Sequence, residues 1–479
     1  MNAVSNYVLA VLNRAERGWP ADGHQPRWDD RPRTRKMYEP RQAIGFHDLD
    51  ADDETDLQAL LWSCVSAFGY RNRRIEVSPN DRQYRALRVA TPVYGRATAV
   101  GGGLYPLELY LRTGGSTHLA SGVYYVDWAM HELVTLAPDP VATASGHELV
   151  VTVRYWANSF KYGEFAYHVV GMDTGAFLLG LELALRERGV GRRTTRLAIS
   201  DESSRTALGI GSPLEDVYAI VRLGDDPVDL SAGLVPTAHA PERSREVRVF
   251  PQMTAVLDEH LSAASRERVF GFGEFPIDDA ERALDSRHTA FGRFVPETVP
   301  GESFTALGVR AQQVADDLSL SLDLAPVDLY AFVSNVSGLE PAIHRFDREH
   351  RAWVRCADPV PTEDLQSAYF LDNYDMGLVG ASLILVVDPS VVRDVEGNGY
   401  RSLNAQIGAL SQAIYLIAED LGIGCGAILG FNNVRMGEWA LGREPADLDD
   451  RWPYLLLTLG MERRPLQRFR VRLTLGEDI

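Results

Sequence analysis

The sequence predicts an α+β protein made of two similar domains packed on each other as an internal pseudo-dimer. Two observations carry that expectation. A long stretch recurs without a gap: YHVVGMDTGAFLLGLELALRERGVG, from Tyr167 to Gly191, aligns with YRSLNAQIGALSQAIYLIAEDLGIG, from Tyr400 to Gly424. The register superposes Gly175 on Gly408, Leu183 on Leu416 and Gly189 on Gly422. Two shorter anchors follow the same order, Pro106–Tyr110 with Pro326–Tyr330 and Tyr218–Gly224 with Tyr454–Gly460. A duplication this long implies repeated domains that bury like faces against each other. Within each copy strands and helices are mixed without strict alternation, which reads as α+β.

Residues 1–40 form an N-terminal arm, whose opening MNAVSNYVLAVLNRAERG reads as a helix and not as a signal peptide. The first domain spans 41–228. Its first helix, DLQALLWSCVSAFGY, carries Leu57, Leu60, Leu61, Val65 and Phe68 at helical spacing. Strands follow at LYPLELYLR, GVYYVD, HELVTL and HELVVTVRYW, rich in β-branched and aromatic residues, then the long helix and the strand YAIVRLG. Residues 229–249 have the Pro, Ser and Ala content of a linker. The second domain, 250–479, repeats the order with helices, strands at VDLYAFV, HRFDREHRAWV and SLILVV, the long helix, and YLLLTLG.

Composition narrows the function classes. A net charge of −18 argues against nucleic-acid or anionic-membrane partners, because phosphate repels an acidic surface. The basic runs RPRTRK (Arg31–Lys36) and RNRR (Arg71–Arg74) read as solvated loops. Cys64, Cys356 and Cys425 are too few and scattered for a disulfide framework or a zinc site. No window approaches 18 uncharged apolar residues, so no membrane span is expected and the expected location is cytoplasmic.

Five segments could carry chemistry. Arg287 and Thr289, in SRHTAFGRF, place a guanidinium and a hydroxyl where both reach one phosphate, although a solvated turn has the same composition. Gly424-Cys425-Gly426, after the second long helix, suits close backbone approach to a flat ring, or equally a helix cap leading into a strand. Gly101, Gly102, Gly103 and Leu104, after Val100, suit backbone contact with a ligand or a flexible loop. Lys161 and Tyr162 read as lying at the start of the first long helix, where an amine and a phenol could move a proton if burial lowers the lysine pKa. A surface lysine beside a packing tyrosine would look alike. Arg463 and Arg464, after the last long strand, suit a phosphate.

The losses between the copies are complementary. Opposite Lys161 and Tyr162 the second copy has Asp394 and Val395, and opposite the glycine loop it has SLDLAP. Opposite Arg463 and Arg464 the first copy has Asp225 and Asp226, which would repel a phosphate. One composite site between the copies explains this pattern better than two sites or none.

These residues resemble the nitroreductase-like flavoproteins, and within them the SagB-type azoline dehydrogenases of ribosomal peptide modification pathways. The marks are LLWSCVSAFGY, GGGLYPLELY, GVYYVD, KYGEFAYHVVGMDTGAFLLGL and YAIVRLG in the first copy, with SRHTAFGRF, DLYAFV and LGIGCGAILGF in the second. The resemblance implies one FMN, its phosphate held by Arg287, Thr289, Arg463 and Arg464, its ring between Gly424–Gly426 and Gly101–Leu104. It implies Lys161 and Tyr162 as the catalytic pair, with Arg293 a less certain ligand because two extra residues precede it. The family's serine is replaced here by Val100, so only backbone contacts remain at that point.

The implied activity is oxidation of thiazoline or oxazoline rings in a peptide to thiazoles or oxazoles, with dioxygen reoxidising the flavin. The implied partners are an azoline-containing peptide and a cyclodehydratase or leader-peptide-binding protein. Alternatives are an FMN oxidoreductase acting on a carrier-bound thiazoline, an NAD(P)H-dependent nitro or quinone reductase, and a flavin-free scaffold in a peptide-modifying complex.

Overall fold

The computed structural model describes residues 2–18, 24–38, 42–49, 55–76, 91–140, 146–197, 202–211, 214–224, 228–231, 233–263, 266–290, 293–463 and 468–470. Two large antiparallel sheets share one strand order. In the first, the six strands run Glu132–Pro138, Gly122–Asp127, Leu107–Thr113, His147–Arg154, Glu215–Leu223 and Arg193–Leu197. In the second they run Ala352–Ala357, Ala342–Asp347, Asp328–Val333, Ala381–Val387, Trp452–Gly460 and Gly424–Ile428. Position for position these follow the sequence anchors, so the expected α+β tandem is present. The first sheet gains Ala43–Gly45 at one edge and Arg268–Phe270 at the other, the latter supplied by the second half of the chain.

Alternation along the strands explains why both sheet faces are covered. Leu109 and Leu111 join one continuous apolar core that also holds Phe177, Leu410 and Leu457, whereas Tyr110 points to a separate cluster with Tyr38 and Tyr125. At a strand period of two, that is the signature of a sheet buried on both sides. The second sheet does the same, with Leu385 in the shared core and Ile384 in its own outer cluster.

The long helices Ala166–Glu187 and Gly399–Asp420 cross at the centre of the molecule. A Cβ on Gly175 would lie 2.0 Å from the Ala405 carbonyl oxygen, and one on Gly408 would lie 1.9 Å from that of Met172. These two contacts are images of each other in the repeat register. The equivalent rings of Tyr167 and Tyr400 stack 5.9 Å apart. Reciprocal contact of this kind is what an isologous interface requires, so the duplication packs about a pseudo-two-fold axis. Close by, the fully buried Arg401 and Asp216 pair at 2.6 Å, with Arg401 also donating to the Val217 carbonyl.

The helical stretch Tyr155–Glu187 is long and apolar enough for a membrane by length and composition, yet 94% of its most apolar window is buried inside the protein. It is broken where sequence reading had it continuous. The helix Tyr155–Tyr162 stops at Gly163, whose φ of 54° no side chain tolerates well, and the long helix starts afresh at Ala166. Lys161 and Tyr162 therefore end a short helix and do not open the long one. The strand expected to reach Trp156 ends at Arg154, because the short helix begins at Tyr155.

The RPRTRK run is not simply solvated. Lys36 is buried, paired with Glu215 at 2.5 Å and donating to the Tyr110 hydroxyl at 2.7 Å, and Arg35 pairs with Asp127. A buried ammonium persists only when paired, and its partners stand far off in sequence. RNRR lies in the strand Tyr70–Glu76, paired with Thr91–Arg96. The N-terminal helix Ala3–Leu12 bridges the halves: Tyr7 donates to the Glu164 carbonyl, and Arg14 just beyond it donates to Asn433.

Candidate functional site

The glycine loop is short, folded and seated. Gly101–Gly103 form one tight turn, with φ of +62° at Gly102 and +69° at Gly103, conformations that favour glycine. A Cβ on Gly102 would fall 2.4 Å from the Tyr162 hydroxyl and 2.6 Å from the Lys161 amine. Glycine is thus required there twice, for backbone angle and for space. The loop rests directly on the Lys-Tyr pair. The Gly101 amide donates to Asp173 at 2.7 Å, and Asn158 contacts the same carboxylate at 3.5 Å. Leu104 closes the turn and is partly buried.

Both sides of the loop are anchored. The Arg96 guanidinium lies over the rings of Tyr105, Trp128 and Phe68, at 3.7, 4.3 and 4.5 Å from their centroids. Cation–π stacking on three rings fixes the strand that enters the loop to the residue that leaves it. The second half of the chain holds the next stretch: Arg287 donates to the carbonyls of Ala97 and Arg96 at 2.6 and 2.7 Å, and Gln412 bonds both Ala97 and Ala99. Segments that the sequence assigned to one site from opposite repeats are therefore in contact.

Electrostatics differ across the site. Burial pushes Lys161 below its ordinary pKa, and among the described residues no carboxylate pairs with its amine. Burial, reinforced by the nearby Asp173 charge, pushes Tyr162 up, so it stays a phenol. Asp173 is fully buried, and burial pushes its carboxyl up to about 7 although the Gly101 amide opposes that shift.

On the second-repeat side, Arg287 follows the helix Ala280–Ser286 and is buried with its ring neighbour Tyr415 5.2 Å away. Its Nη1 is buried without a hydrogen-bond partner among the described residues. Such a donor is costly to leave unmade and is satisfied by an anionic oxygen. The Thr289 hydroxyl lies 3.4 Å from the Tyr415 hydroxyl, which itself accepts from the Ala427 amide at 2.7 Å.

Gly424, Cys425 and Gly426 lie on a strand paired with Trp452–Gly460, preceded by Gly422 as the left-handed helix cap. Of the two readings the sequence left open, cap and strand describe the backbone. Their pro-Cβ positions face protein: Tyr374 lies 2.1 Å from that of Gly426, and Glu462 2.9 Å from that of Gly424. Cys425 is buried, which pushes its thiol up. Arg463 is exposed and its amide donates to the Arg293 carbonyl, while Arg464 lies outside the described residues, as do Asp225 and Asp226.

The stretch read as simply basic is mixed in charge. Glu462 takes the Arg293 Nε at 2.6 Å and His288 at 2.6 Å, and His288 also contacts Glu419 at 3.2 Å. Arg293 is accordingly committed to Glu462 and to the Thr289 carbonyl. Sequence reading missed Asp173, Asn158, Gln412, Tyr415 and the role of Glu462. Asp173 carried a usable signal, because the repeat register sets Gln406 opposite it.

No family model matches the chain. The structure of a candidate nitroreductase from Anabaena variabilis superposes over 97% of this chain and 100% of its own with a TM-score of 0.72 at 20% identity. A candidate nitroreductase of Methanocaldococcus jannaschii is 23% identical over 160 residues, 33% of this chain and 76% of its own. A candidate nitroreductase from Desulfovibrio desulfuricans, solved with FMN, matches 40% of this chain and 94% of its own at 17% identity and a TM-score of 0.26. The fold is that of nitroreductases, present here as tandem domains.

Proposed function

We propose that the protein is an FMN-dependent oxidoreductase that converts azoline rings of a ribosomally made peptide to aromatic azoles. One observation carries the reading. The glycine loop of the first repeat lies on Lys161 and Tyr162 while its root is gripped by Arg287 of the second. A reductase that only passes hydride needs no buried amine-phenol pair, whereas aromatisation needs a base.

The residues fit the cofactor. The Arg287 Nη1, without a hydrogen-bond partner among the described residues, is a donor ready for a phosphate oxygen, and Thr289, Arg463 and Arg464 are the further candidates that the sequence offers. The loop Gly101–Leu104 would supply backbone contacts to one side of the ring, and the Gly424–Gly426 strand the other. Because Tyr374 and Glu462 fill the space beside Gly426 and Gly424, that strand would contact the ring through backbone edges alone. When bound, FMN supplies the acceptor for the hydride from the azoline β-carbon.

The chain's own part is the proton. The α-carbon proton must leave as the hydride departs, and a half-buried lysine with no carboxylate partner among the described residues is a stronger candidate base than a solvated ammonium. Lys161 and Tyr162 take that proton between them, against the seated loop. The substrate is an azoline-containing peptide, delivered by a cyclodehydratase or leader-peptide-binding partner.

Mass spectrometry of a cyclised peptide, before and after incubation with the yellow protein, tests this. Loss of two hydrogens per ring is expected. A peptide of unchanged mass, together with rapid nitroaromatic reduction by NADPH, would favour a plain reductase instead.

A further inference from the structure

The reading above leaves open which member of the pair accepts the proton, and the buried acid beneath the loop answers it. We propose that Asp173 is a positioning residue for the Lys161–Tyr162 pair: it seats the glycine loop on the pair and adds its charge to the burial that holds Tyr162 as a phenol, leaving Lys161 to take the proton. This inference rests on the proposed function for the proton's source, but the contacts themselves do not.

Three observations support it. First, Asp173 lies in the interior of the long helix Ala166–Glu187, where a carboxylate is out of place unless something uses it. Its bonds are to the Gly101 amide at 2.7 Å and to Asn158 at 3.5 Å, both beside the pair and neither an ion pair. Second, the loop's position follows from that bond. With Gly101 held, Gly102 closes to where even one added carbon would meet the Tyr162 hydroxyl and the Lys161 amine. Third, the repeat supplies an internal comparison. The second copy, which has Asp394 and Val395 for Lys161 and Tyr162 and no glycine loop, has Gln406 at this position. Gln406 there bonds Ser319 as ordinary core packing. The acid occurs only in the copy that has the pair and the loop.

The charge then sorts the roles. Burial raises the Tyr162 pKa first and the Asp173 charge adds to it, whereas burial of Lys161 favours its neutral, basic form. In the step, the azoline α-carbon–hydrogen bond breaks, its electrons enter the forming ring double bond, and the proton ends on Lys161. Bound FMN would supply the acceptor for the hydride from the β-carbon. Tyr162 keeps its hydrogen and orients the ring.

Asp173→Asn separates the two tasks, because its amide oxygen still accepts from Gly101 while the charge is gone. Asp173→Ala removes both. In the protein without substrate, Asp173→Ala should speed hydrogen exchange at the Gly101 amide about tenfold, and Asp173→Asn should leave it near wild type. In the flavin-loaded enzyme, Asp173→Asn should lower kcat with little change in KM, with partial rescue by Asp173→Glu. Unchanged exchange in Asp173→Ala would overturn the seating role, and an unchanged kcat in Asp173→Asn the electrostatic one. If wild-type protein oxidises no azoline, the proposed function falls, yet the exchange arm still decides the seating role of Asp173.

Discussion

The two copies of one corner of the repeat have diverged in opposite directions. In the first, Lys161 and Tyr162 sit half-buried under the glycine loop with an acid beneath them. In the second, Asp394 caps its own turn at Gly397 and pairs with Arg266 and Arg268, which makes it part of the scaffold. The counterpart of the glycine loop has become the end of the helix Gly301–Leu322, capped by Asp323 in the left-handed region. Conversely, Arg287, whose buried Nη1 has no hydrogen-bond partner among the described residues, belongs to the second copy. A duplicated interface site needs only one working half from each copy, so selection on the other halves relaxes towards packing and charge pairing.

Breaking the comparison at its strongest point means replacing both corners. Lys161→Ala should lower kcat by roughly 10²–10⁴-fold while the protein stays yellow, in the range expected for loss of a general base. Asp394→Ala should leave kcat near wild type, which a paired steady-state assay on one azoline peptide would show. Equal losses in the two variants would mean that the corners have not diverged in function. Next in size is the anion side. Arg287→Ala should weaken FMN binding roughly 10- to 100-fold, as loss of a charge-assisted hydrogen bond implies, read by flavin fluorescence titration.

The shared element offers a sharper, symmetric comparison. Gly175→Ala and Gly408→Ala each drive a methyl group into the other helix's backbone and should each cost about 1–3 kcal/mol in chemical denaturation. Gly191→Ala, with open space around it, should cost far less. Markedly unequal losses at Gly175 and Gly408 would deny the pseudo-two-fold crossing. The smallest effect is in pH. The neutral amine is the active form, so kcat should fall as pH drops through the Lys161 pKa. Burial places that midpoint below the ordinary 10.5. A kcat profile with its midpoint at or above that value would remove the burial argument.

Sequence alone disclosed the tandem fold because the Gly175 and Gly408 helices and the Tyr218 and Tyr454 strands are core elements, whose apolar patterns survive divergence. It also assigned each repeat a different part of the proposed site. It misplaced Lys161 on the long helix because a run of helix formers on either side of Gly163 hides a break that depends on one dihedral angle. It read Arg463 and its neighbours as a basic patch because nothing local shows that Glu462 turns inward to His288 and Arg293. Lys36 was misread likewise, since its partner Glu215 is remote in sequence. Asp173 was legible in principle, by the same register that exposed Lys161, but a lone acid inside an apolar helix carries no motif.

The most direct test of the composite site is a crystal structure of the flavin-loaded protein. The expected result is one FMN per chain, its phosphate on Arg287 and Thr289 and its ring beside Gly101–Leu104 within reach of Lys161. A phosphate held by first-repeat residues, or a ring remote from Lys161, would contradict the account.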